Sequence, residues 1–318
     1  MKRSLPILFY TTAVFIILSG CSKTQQEVVP PTLAPTQTKT AIPEPTIAPT
    51  PTKKQVDFKF TVMVNDVERE YWLHIPPDLN SQIPVPVVLA FHGRTDTAAS
   101  IMRSADFDNV SDQAYFIVVY PEGFDKTWEL GEEVVDEVAF FEQILANLDE
   151  IATIDHKRIY ASGFSWGGHL SYRLGCETDI FAAIAPVAGA MYDFTCQPSQ
   201  PVSVFHVHGL RDERVPYSSA ETDTEQGIAY WAAFNGCNET PQVKLYCKSY
   251  PDQIHVKLDD CTEENPTDTI KYTSYDSCQD GTAVELYTIS SLAHTWPSNY
   301  VPSFSELIWE FFATHPKP

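Results

Sequence analysis

The residues Gly163-Phe164-Ser165-Trp166-Gly167 have the Gly-x-Ser-x-Gly spacing that holds a nucleophilic serine on a tight turn. A strand-like run ending at Ala161 precedes them, and a helix-like segment begins near Gly168. This context predicts a serine side chain held clear of a sheet, beside a helix N-terminus that favours a developing oxyanion. The five residues alone would also fit a glycine-rich loop that packs a helix on a strand.

Two further residues are the partners that such a serine needs. His294, in Ala293-His294-Thr295-Trp296-Pro297, comes directly after the last strand-like run and is the candidate general base. Asp212 follows His208-Gly209-Leu210-Arg211 and is the candidate acid that orients the imidazole. Asp193 is the weaker candidate for the acid. The order Ser165, Asp212, His294 predicts a catalytic triad.

The pair His92-Gly93 at the end of an apolar run is the place where an oxyanion hole forms in hydrolases of this kind. The backbone N–H groups of Arg94 and Trp166 are therefore the predicted donors. We interpret the His92 side chain as structural rather than catalytic, since it follows a strand and precedes the donor. The candidates for contact with substrate are His92, Trp128, Trp166 and Trp296.

His206 and His208 lie two residues apart and could share one face of a strand, as metal ligands do. No third ligand follows them in the sequence at a useful spacing, and no two cysteines have Cys-x-x-Cys spacing. We therefore expect neither a metal nor an organic cofactor.

The scaffold that must position these residues is predicted from hydrophobic runs. Residues 57–64 and 71–75 favour an opening antiparallel pair, and later apolar runs alternate with helical segments. Buried strands separated by helices predict an α/β fold, a mostly parallel sheet covered on both faces, in one catalytic domain over 57–318. The later strand-like runs are 85–91, 115–120, 158–161, 181–187, 202–207 and 283–289, and the helix-like segments include 134–151 and 168–175.

The first fifty or so residues are predicted to lie outside that domain. Met1-Lys2-Arg3, an apolar run over 5–18 and Leu18-Ser19-Gly20-Cys21 predict a bacterial lipoprotein signal peptide at 1–20, with Cys21 lipidated. An ordinary signal peptide that ends near a cysteine is the alternative. Residues 21–56 are rich in Pro and Thr and predict an extended linker that holds the domain off the membrane.

Composition excludes some classes of function. Lys and Arg number 21 against 42 Asp and Glu, a net charge of −21, which repels phosphate backbones and anionic lipid. We therefore expect no nucleic-acid partner, and a membrane contact through Cys21 only. Hydrophobic residues make up 43% of the chain, enough for a substantial core and against disorder throughout.

Several motifs together resemble the polyhydroxybutyrate depolymerase and feruloyl esterase family of α/β-hydrolases, from about Asp57 to the C-terminus. The resemblance implies a Ser165–His294–Asp212 triad that hydrolyses esters through an acyl-enzyme. Feruloyl or acetyl esters of plant polysaccharide are the leading substrates, and a hydroxyalkanoate polyester is the alternative. A surface binding protein on an inactive scaffold is the alternative of another class. The motifs are Phe91-His92-Gly93, Tyr120-Pro121-Glu122-Gly123, Trp128, Asp136-Glu137-Val138-Ala139-Phe140, Arg158 to Gly168, Phe181-Ala182-Ala183-Ile184-Ala185, His208-Gly209-x-x-Asp212 and His294-Thr295-Trp296-Pro297.

The chain departs from the family at two places. Trp166 stands where the family often has Asn or a small residue, and the segment 241–275 is longer than usual and carries extra cysteines. Apart from Cys21 there are six cysteines, an even number that favours disulfides in an exported protein but allows many pairings. The resemblance implies Cys176–Cys196 and Cys237–Cys278, which leaves Cys247–Cys261 within the insertion.

Overall fold

A computed structural model describes residues 57–129, 135–249, 256–261 and 269–318. The predicted signal peptide, the lipidated Cys21 and the linker over 21–56 lie outside the described residues and stay predictions. Within the described ranges, every helix is too short or too polar to cross a membrane.

The described part begins with the antiparallel pair that the sequence predicts. β1 (Asp57–Val64) pairs along its whole length with β2 (Val67–His74). Asn65 and Asp66 between them both have positive φ, 49° and 63°, the backbone of a tight hairpin turn that matches strand twist. β2 begins before the predicted residue 71, because its pairing continues through Glu68, Arg69 and Glu70, whose charged side chains carry no apolar signal.

Strands and helices alternate over the next part of the chain. They are β3 (Val85–Phe91), α1 (Ala98–Ala105), α2 (Phe107–Ala114), β4 (Ile117–Pro121), α3 (Val135–Asp149), β5 (Ile154–Phe164), α4 (Trp166–Glu177), β6 (Ala183–Val187) and β7 (Ser203–Gly209). The remaining elements are α5 (Thr224–Phe234), β8 (Gln242–Ser249), β9 (Val256–Asp260), β10 (Thr269–Tyr275), β11 (Val284–Ile289), β12 (Tyr300–Val301) and α6 (Phe304–Thr314).

The described strands form one sheet in the order β1-β2-β4-β3-β5-β6-β7-β11-β10-β8-β9-β12. The strands from β4 to β11 in this order all run parallel. Every residue of β3, β4, β6 and β7 is buried, as expected for central strands with helices on both faces. Because carboxyl ends of parallel strands meet at one edge of a sheet, residues that follow β3, β5, β7 and β11 can converge there.

Two hydrophobic cores cover the two faces of this sheet. Alternate side chains of β3 divide between them: Val87 and Leu89 lie in one core, Val88 and Ala90 in the other. Helices α3, α4 and α5 supply the first core, and α1, α2 and α6 the second. The predicted two-sided sheet is therefore present.

The segment 241–275 extends the sheet rather than forming a separate unit. Its described residues include β8, β9 and β10, and β8 pairs antiparallel with both of the others. These strands are not predicted from the sequence, because side chains such as Val243 and Leu245 are exposed and the usual apolar alternation is weak. Cys247 and Cys261 form a disulfide within this extension.

Two more disulfides each join segments that are well separated in the sequence. Cys176 at the end of α4 is bonded to Cys196 in the loop after β6. Cys237 after α5 is bonded to Cys278, which follows β10. These are the pairs that the resemblance implies. Each closes a loop in the unfolded chain and so lowers its conformational entropy.

Candidate active site

Ser165 lies on a strained turn between β5 and α4. Its φ and ψ are 55° and −115°, outside the regions that non-glycine residues usually adopt. A Cβ added at Gly167 would lie 2.3 Å from the Phe91 carbonyl oxygen, and one added at Gly163 would lie 2.3 Å from that of Gly167. The two glycines are thus required by close backbone approach, and they bring the end of β3 against the serine turn.

The structure brings Ser165, His294 and Asp212 together. His294 Nε2 lies 2.9 Å from Ser165 Oγ, and its Nδ1 lies 2.7 Å from Asp212 Oδ2. The second oxygen of Asp212 accepts hydrogen bonds from the backbone N–H groups of Arg214 and Val215, both at 2.9 Å. Asp193, the weaker candidate, is exposed and bonds Thr195 instead.

The electrostatics of the triad suit an ionised Asp212. Burial alone raises the pKa of Asp212, but the hydrogen bonds from His294 and from the Val215 and Arg214 amides outweigh it and hold that pKa below its ordinary value. An ionised Asp212 accepts the Nδ1–H proton of His294. That tautomer leaves His294 Nε2 free to accept a proton from Ser165.

The predicted oxyanion-hole donors lie next to the serine. Trp166 is the first residue of α4, where a backbone N–H has no partner within the helix. A Cβ added at Gly93 would lie 3.4 Å from Ser165 Cβ, which places the loop after β3 against the same side chain. Among the described residues, no group accepts a hydrogen bond from the Arg94 or Trp166 amide. Both amides thus remain available to an oxyanion.

His92 is not available to a substrate, which corrects its place among the binding candidates. Its side chain is fully buried, its Nδ1 donates to the Gly93 carbonyl at 2.7 Å, and its Nε2 accepts from the Gly123 N–H at 2.9 Å. Burial lowers the pKa of this imidazole, so it is neutral and serves both roles at once. His92 ties the loop after β3 to the loop after β4.

Trp128 and Trp296 are corrected for the same reason. Trp128 is 2% exposed and donates its Nε1–H to the His92 carbonyl at 2.7 Å. Trp296 is 4% exposed, packs edge-on against Phe107 and donates to Ser305 Oγ at 3.3 Å. Both indoles support loops of the site from behind and have no face open to a ligand.

Among the four candidates for contact with substrate, all of which lie in the described residues, only Trp166 is partly exposed. Its Nε1–H donates to the Trp128 carbonyl at 2.9 Å, and the guanidinium of Arg94 lies 5.5 Å from its ring centroid. These contacts fix the indole beside both predicted oxyanion donors. The aromatic platform suggested by the sequence remains a prediction.

A cavity of about 290 Å³ begins one helical turn beyond Ser165. Its lining includes His169, Tyr172, Met191 and Tyr192, from α4 and the loop after β6. The His169 ring lies 5.3 Å from the Trp166 ring and 4.5 Å from that of Tyr192. Burial lowers the pKa of His169 to about 4, so it is neutral at neutral pH. This cavity is not predicted from the sequence, whose only signal for it is His169, four residues after the serine on one helix face.

His206 and His208 do not form a metal site. They lie 3.0 Å apart, nitrogen to nitrogen, and bind each other rather than pointing at a common centre. Within the described ranges, the carboxylates and imidazoles that come close enough to share a metal ion are Asp57, His74 and Asp108, a group that includes neither of them.

Comparison with known proteins relates the chain to esterases. The chain is 26% identical over 263 residues to the bifunctional acetylxylan esterase/xylanase XynS20E of Neocallimastix patriciarum, covering 78% of this chain and 34% of that protein. It thus spans about a third of that relative's length. It is 27% identical over 194 residues to a probable feruloyl esterase C of Aspergillus oryzae, covering 57% of this chain and 69% of that one.

The acetyl xylan esterase from Aspergillus awamori has a similar fold, with a TM-score of 0.56 and 16% identity over 81% of this chain and 99% of that one. This likeness confirms the predicted α/β-hydrolase fold, and the relatives confirm the resemblance to feruloyl esterases. Residues 45–208 match the family described as Esterase FrsA-like. Because that match spans more than half of the sequence, the chain belongs to the FrsA-like esterase family.

Proposed function

We propose that this esterase is an exported serine carboxylic-ester hydrolase that acts through an acyl-enzyme on feruloyl or acetyl esters of plant polysaccharide. The observation that carries the proposal is the continuous hydrogen-bonded row from Ser165 Oγ through His294 to Asp212. The names of the relatives, acetylxylan esterase and feruloyl esterase, support the ester class.

In the proposed mechanism Ser165 Oγ attacks the ester carbonyl carbon while His294 Nε2 accepts the serine proton. The Arg94 and Trp166 N–H groups hold the oxyanion of the tetrahedral intermediate. His294 then gives its proton to the leaving alcohol, which departs and leaves Ser165 acylated. Water, deprotonated by His294, attacks the acyl carbon; His294 then returns the proton to Ser165 Oγ as the bond to the serine breaks and the acid leaves.

The cavity beside α4 supports a bulky acyl group over acetate. A volume of about 290 Å³ lies at the lower end of the range for small-molecule sites, and an acetyl group needs no such space. The exposed ring of Tyr192, which packs against the buried His169, offers a face against which a planar aromatic acid can pack. We therefore expect esters of hydroxycinnamic acids to be hydrolysed faster than acetyl esters.

Export is supported by the three disulfides, which persist in oxidising compartments and are rare in the cytosol. The lipid anchor on Cys21 and the separate catalytic domain at 57–318 remain parts of the proposal. Metabolic labelling with radioactive palmitate tests the anchor: label in the wild type and none in Cys21→Ala supports it, and equal label in both contradicts it.

The test of function compares the purified protein with Ser165→Ala. Both are assayed on p-nitrophenyl acetate and butyrate, methyl ferulate, acetylated xylan and a hydroxybutyrate oligomer. Ser199→Ala is the matched control, since it changes an exposed serine. We expect turnover of methyl ferulate that is lost in Ser165→Ala and kept in Ser199→Ala.

Three other outcomes would favour a different substrate, a different nucleophile or a binding role. Preference for the hydroxybutyrate oligomer would favour the polyester alternative. Turnover that survives in Ser165→Ala would refute the assigned nucleophile. A folded wild-type protein that hydrolyses none of the substrates would favour a binding role.

A further inference from the structure

A chain of buried hydrogen bonds runs through the core behind the acid of the triad. The Tyr172 hydroxyl, on α4, lies 2.7 Å from His206 Nδ1, on β7. His206 Nε2 lies 3.0 Å from His208 Nδ1, and His208 Nε2 lies 2.8 Å from the Val215 carbonyl oxygen. The side chains of Tyr172, His206 and His208 are all buried.

The Val215 carbonyl oxygen, the last acceptor, fixes the donor and the acceptor of every hydrogen bond in this series. A carbonyl oxygen can only accept, so His208 Nε2 must carry a proton. Burial lowers the pKa of both histidines, so each is neutral and has one N–H. His208 Nδ1 therefore accepts from His206 Nε2–H, and His206 Nδ1 accepts from the Tyr172 hydroxyl.

This series of hydrogen bonds ends on the loop that carries Asp212, the acid of the triad. Val215, whose carbonyl accepts from His208, donates its own N–H to Asp212 Oδ1 at 2.9 Å. Asp212 Oδ2 faces His294, and His208 Nε2 lies 3.7 Å from that oxygen. The N–H of His208 thus points toward the peptide and the carboxylate that orient the proposed base.

We propose that Tyr172, His206 and His208 are positioning residues for the Asp212 loop, and that the Tyr172 hydroxyl donates to His206 Nδ1, the lone pair left by the tautomers that the Val215 carbonyl fixes. With the tautomers reversed, a lone pair of His208 Nε2 would face the Val215 carbonyl and the Asp212 carboxylate, which is repulsive. The proposal rests on the triad of the proposed function and adds a residue of α4, 40 positions before Asp212, to its support.

Other polar groups also face the histidine pair. His169 on α4 and the His294 ring lie within electrostatic range, Tyr217 packs edge-on against His208, and Thr224 Oγ1 of α5 lies 3.5 Å from its Nδ1. Asp212 is the negative group among them. None of the others supplies the proton that His206 Nδ1 needs, which leaves this task to Tyr172.

The first test needs no variant. In protein with ¹⁵N-labelled histidine, nitrogen shifts report which ring nitrogen carries the proton. We expect the imidazoles of His206 and His208 to stay neutral, with the proton on Nε2, between about pH 5 and 8, the range in which an ordinary histidine titrates. A proton on Nδ1 of both, or titration of both in this range, would overturn the proposal whether or not any ester is hydrolysed.

The second test is Tyr172→Phe, with Tyr115→Phe as control because Tyr115 is exposed. We expect kcat on methyl ferulate to fall about ten- to a hundredfold with KM unchanged, as for a small misplacement of a catalytic group. The nitrogen shift of His206 Nδ1 should change in the same variant, because its lone pair loses the hydroxyl that donates to it. A folded Tyr172→Phe protein with kcat within twofold of wild type and unchanged nitrogen shifts would refute the role of the hydroxyl.

Discussion

Replacement of Asp212 with asparagine exchanges one carboxylate oxygen for an amide nitrogen and removes the charge. Asp212 Oδ1 accepts two backbone N–H groups, from Arg214 and Val215, so the amide oxygen must occupy that position. The amide nitrogen then takes the place of Oδ2, 2.7 Å from His294 Nδ1. Because that nitrogen only donates, His294 must accept there and carry its proton on Nε2.

A proton on Nε2 faces Ser165 Oγ at 2.9 Å and prevents the imidazole from accepting the serine proton. In other triads this wrong tautomer lowers kcat about 10⁴-fold, which corresponds to about 5.5 kcal/mol of barrier at 25 °C. We expect the same fall for Asp212→Asn on methyl ferulate, measured as kcat, with the melting temperature nearly unchanged because the shape is conserved.

Asp66→Asn is the matched control, since Asp66 is exposed in the turn between β1 and β2. We expect its kcat to stay within about twofold of wild type, as for a surface change remote from the site. If a folded Asp212→Asn protein kept more than about a tenth of wild-type kcat, the tautomer argument would be wrong, since one tenth corresponds to only ~1.4 kcal/mol.

Three further changes test the framework around the site. Glu137→Ala leaves the buried charge of Arg69, which lies 2.8 Å away, without its partner, so urea denaturation should show a loss of about 3–5 kcal/mol. An unchanged midpoint would contradict this. Gly167→Ala forces a Cβ toward the Phe91 carbonyl, and we expect kcat to fall at least about a hundredfold or the protein not to fold; wild-type kcat would refute the need for glycine. The pKa of Asp108 is raised to about 6, chiefly by burial, so its stabilising contribution is complete below its ordinary value of 3.8 and lost as pH rises through 6. Relative to Asp108→Asn, wild type should therefore lose about 2–3 kcal/mol of unfolding free energy between about pH 4 and 7, and parallel curves would refute it.

Much of this site follows from the sequence because its parts obey local rules. The apolar run Val85–Phe91 is a fully buried strand, and the Gly-x-Ser-x-Gly turn is a glycine-dependent connection between β5 and α4. Ser165, Asp212 and His294 each follow a strand of the parallel part of the sheet. Their convergence is then a property of the topology, since β5, β6, β7 and β11 are successive neighbours.

The side chains that touch substrate are harder to predict, because the direction of an indole depends on contacts between distant elements. Trp128 and Trp296 stand near motifs, but each donates its N–H to a buried partner and fills a core. The cavity residues His169 and Tyr192 come from two segments that meet only after folding. The extension at β8 was missed because its apolar residues are exposed, as Val243 is, so hydrophobic alternation does not mark it.

The pair His206 and His208 illustrates why a spacing alone cannot decide between two chemistries. Alternate residues of a strand point to the same face, so the spacing predicts that the two imidazoles are neighbours, as they are in the structure. The same spacing suits two zinc ligands or two members of a hydrogen-bond chain. The partners decide: Tyr172 comes from α4, 34 residues before His206, and Val215 from the loop after β7. Each neutral imidazole has one donor and one acceptor nitrogen, and all four nitrogens are engaged. In this arrangement no lone pair is left for a cation, which favours the hydrogen-bond chain over the zinc pair.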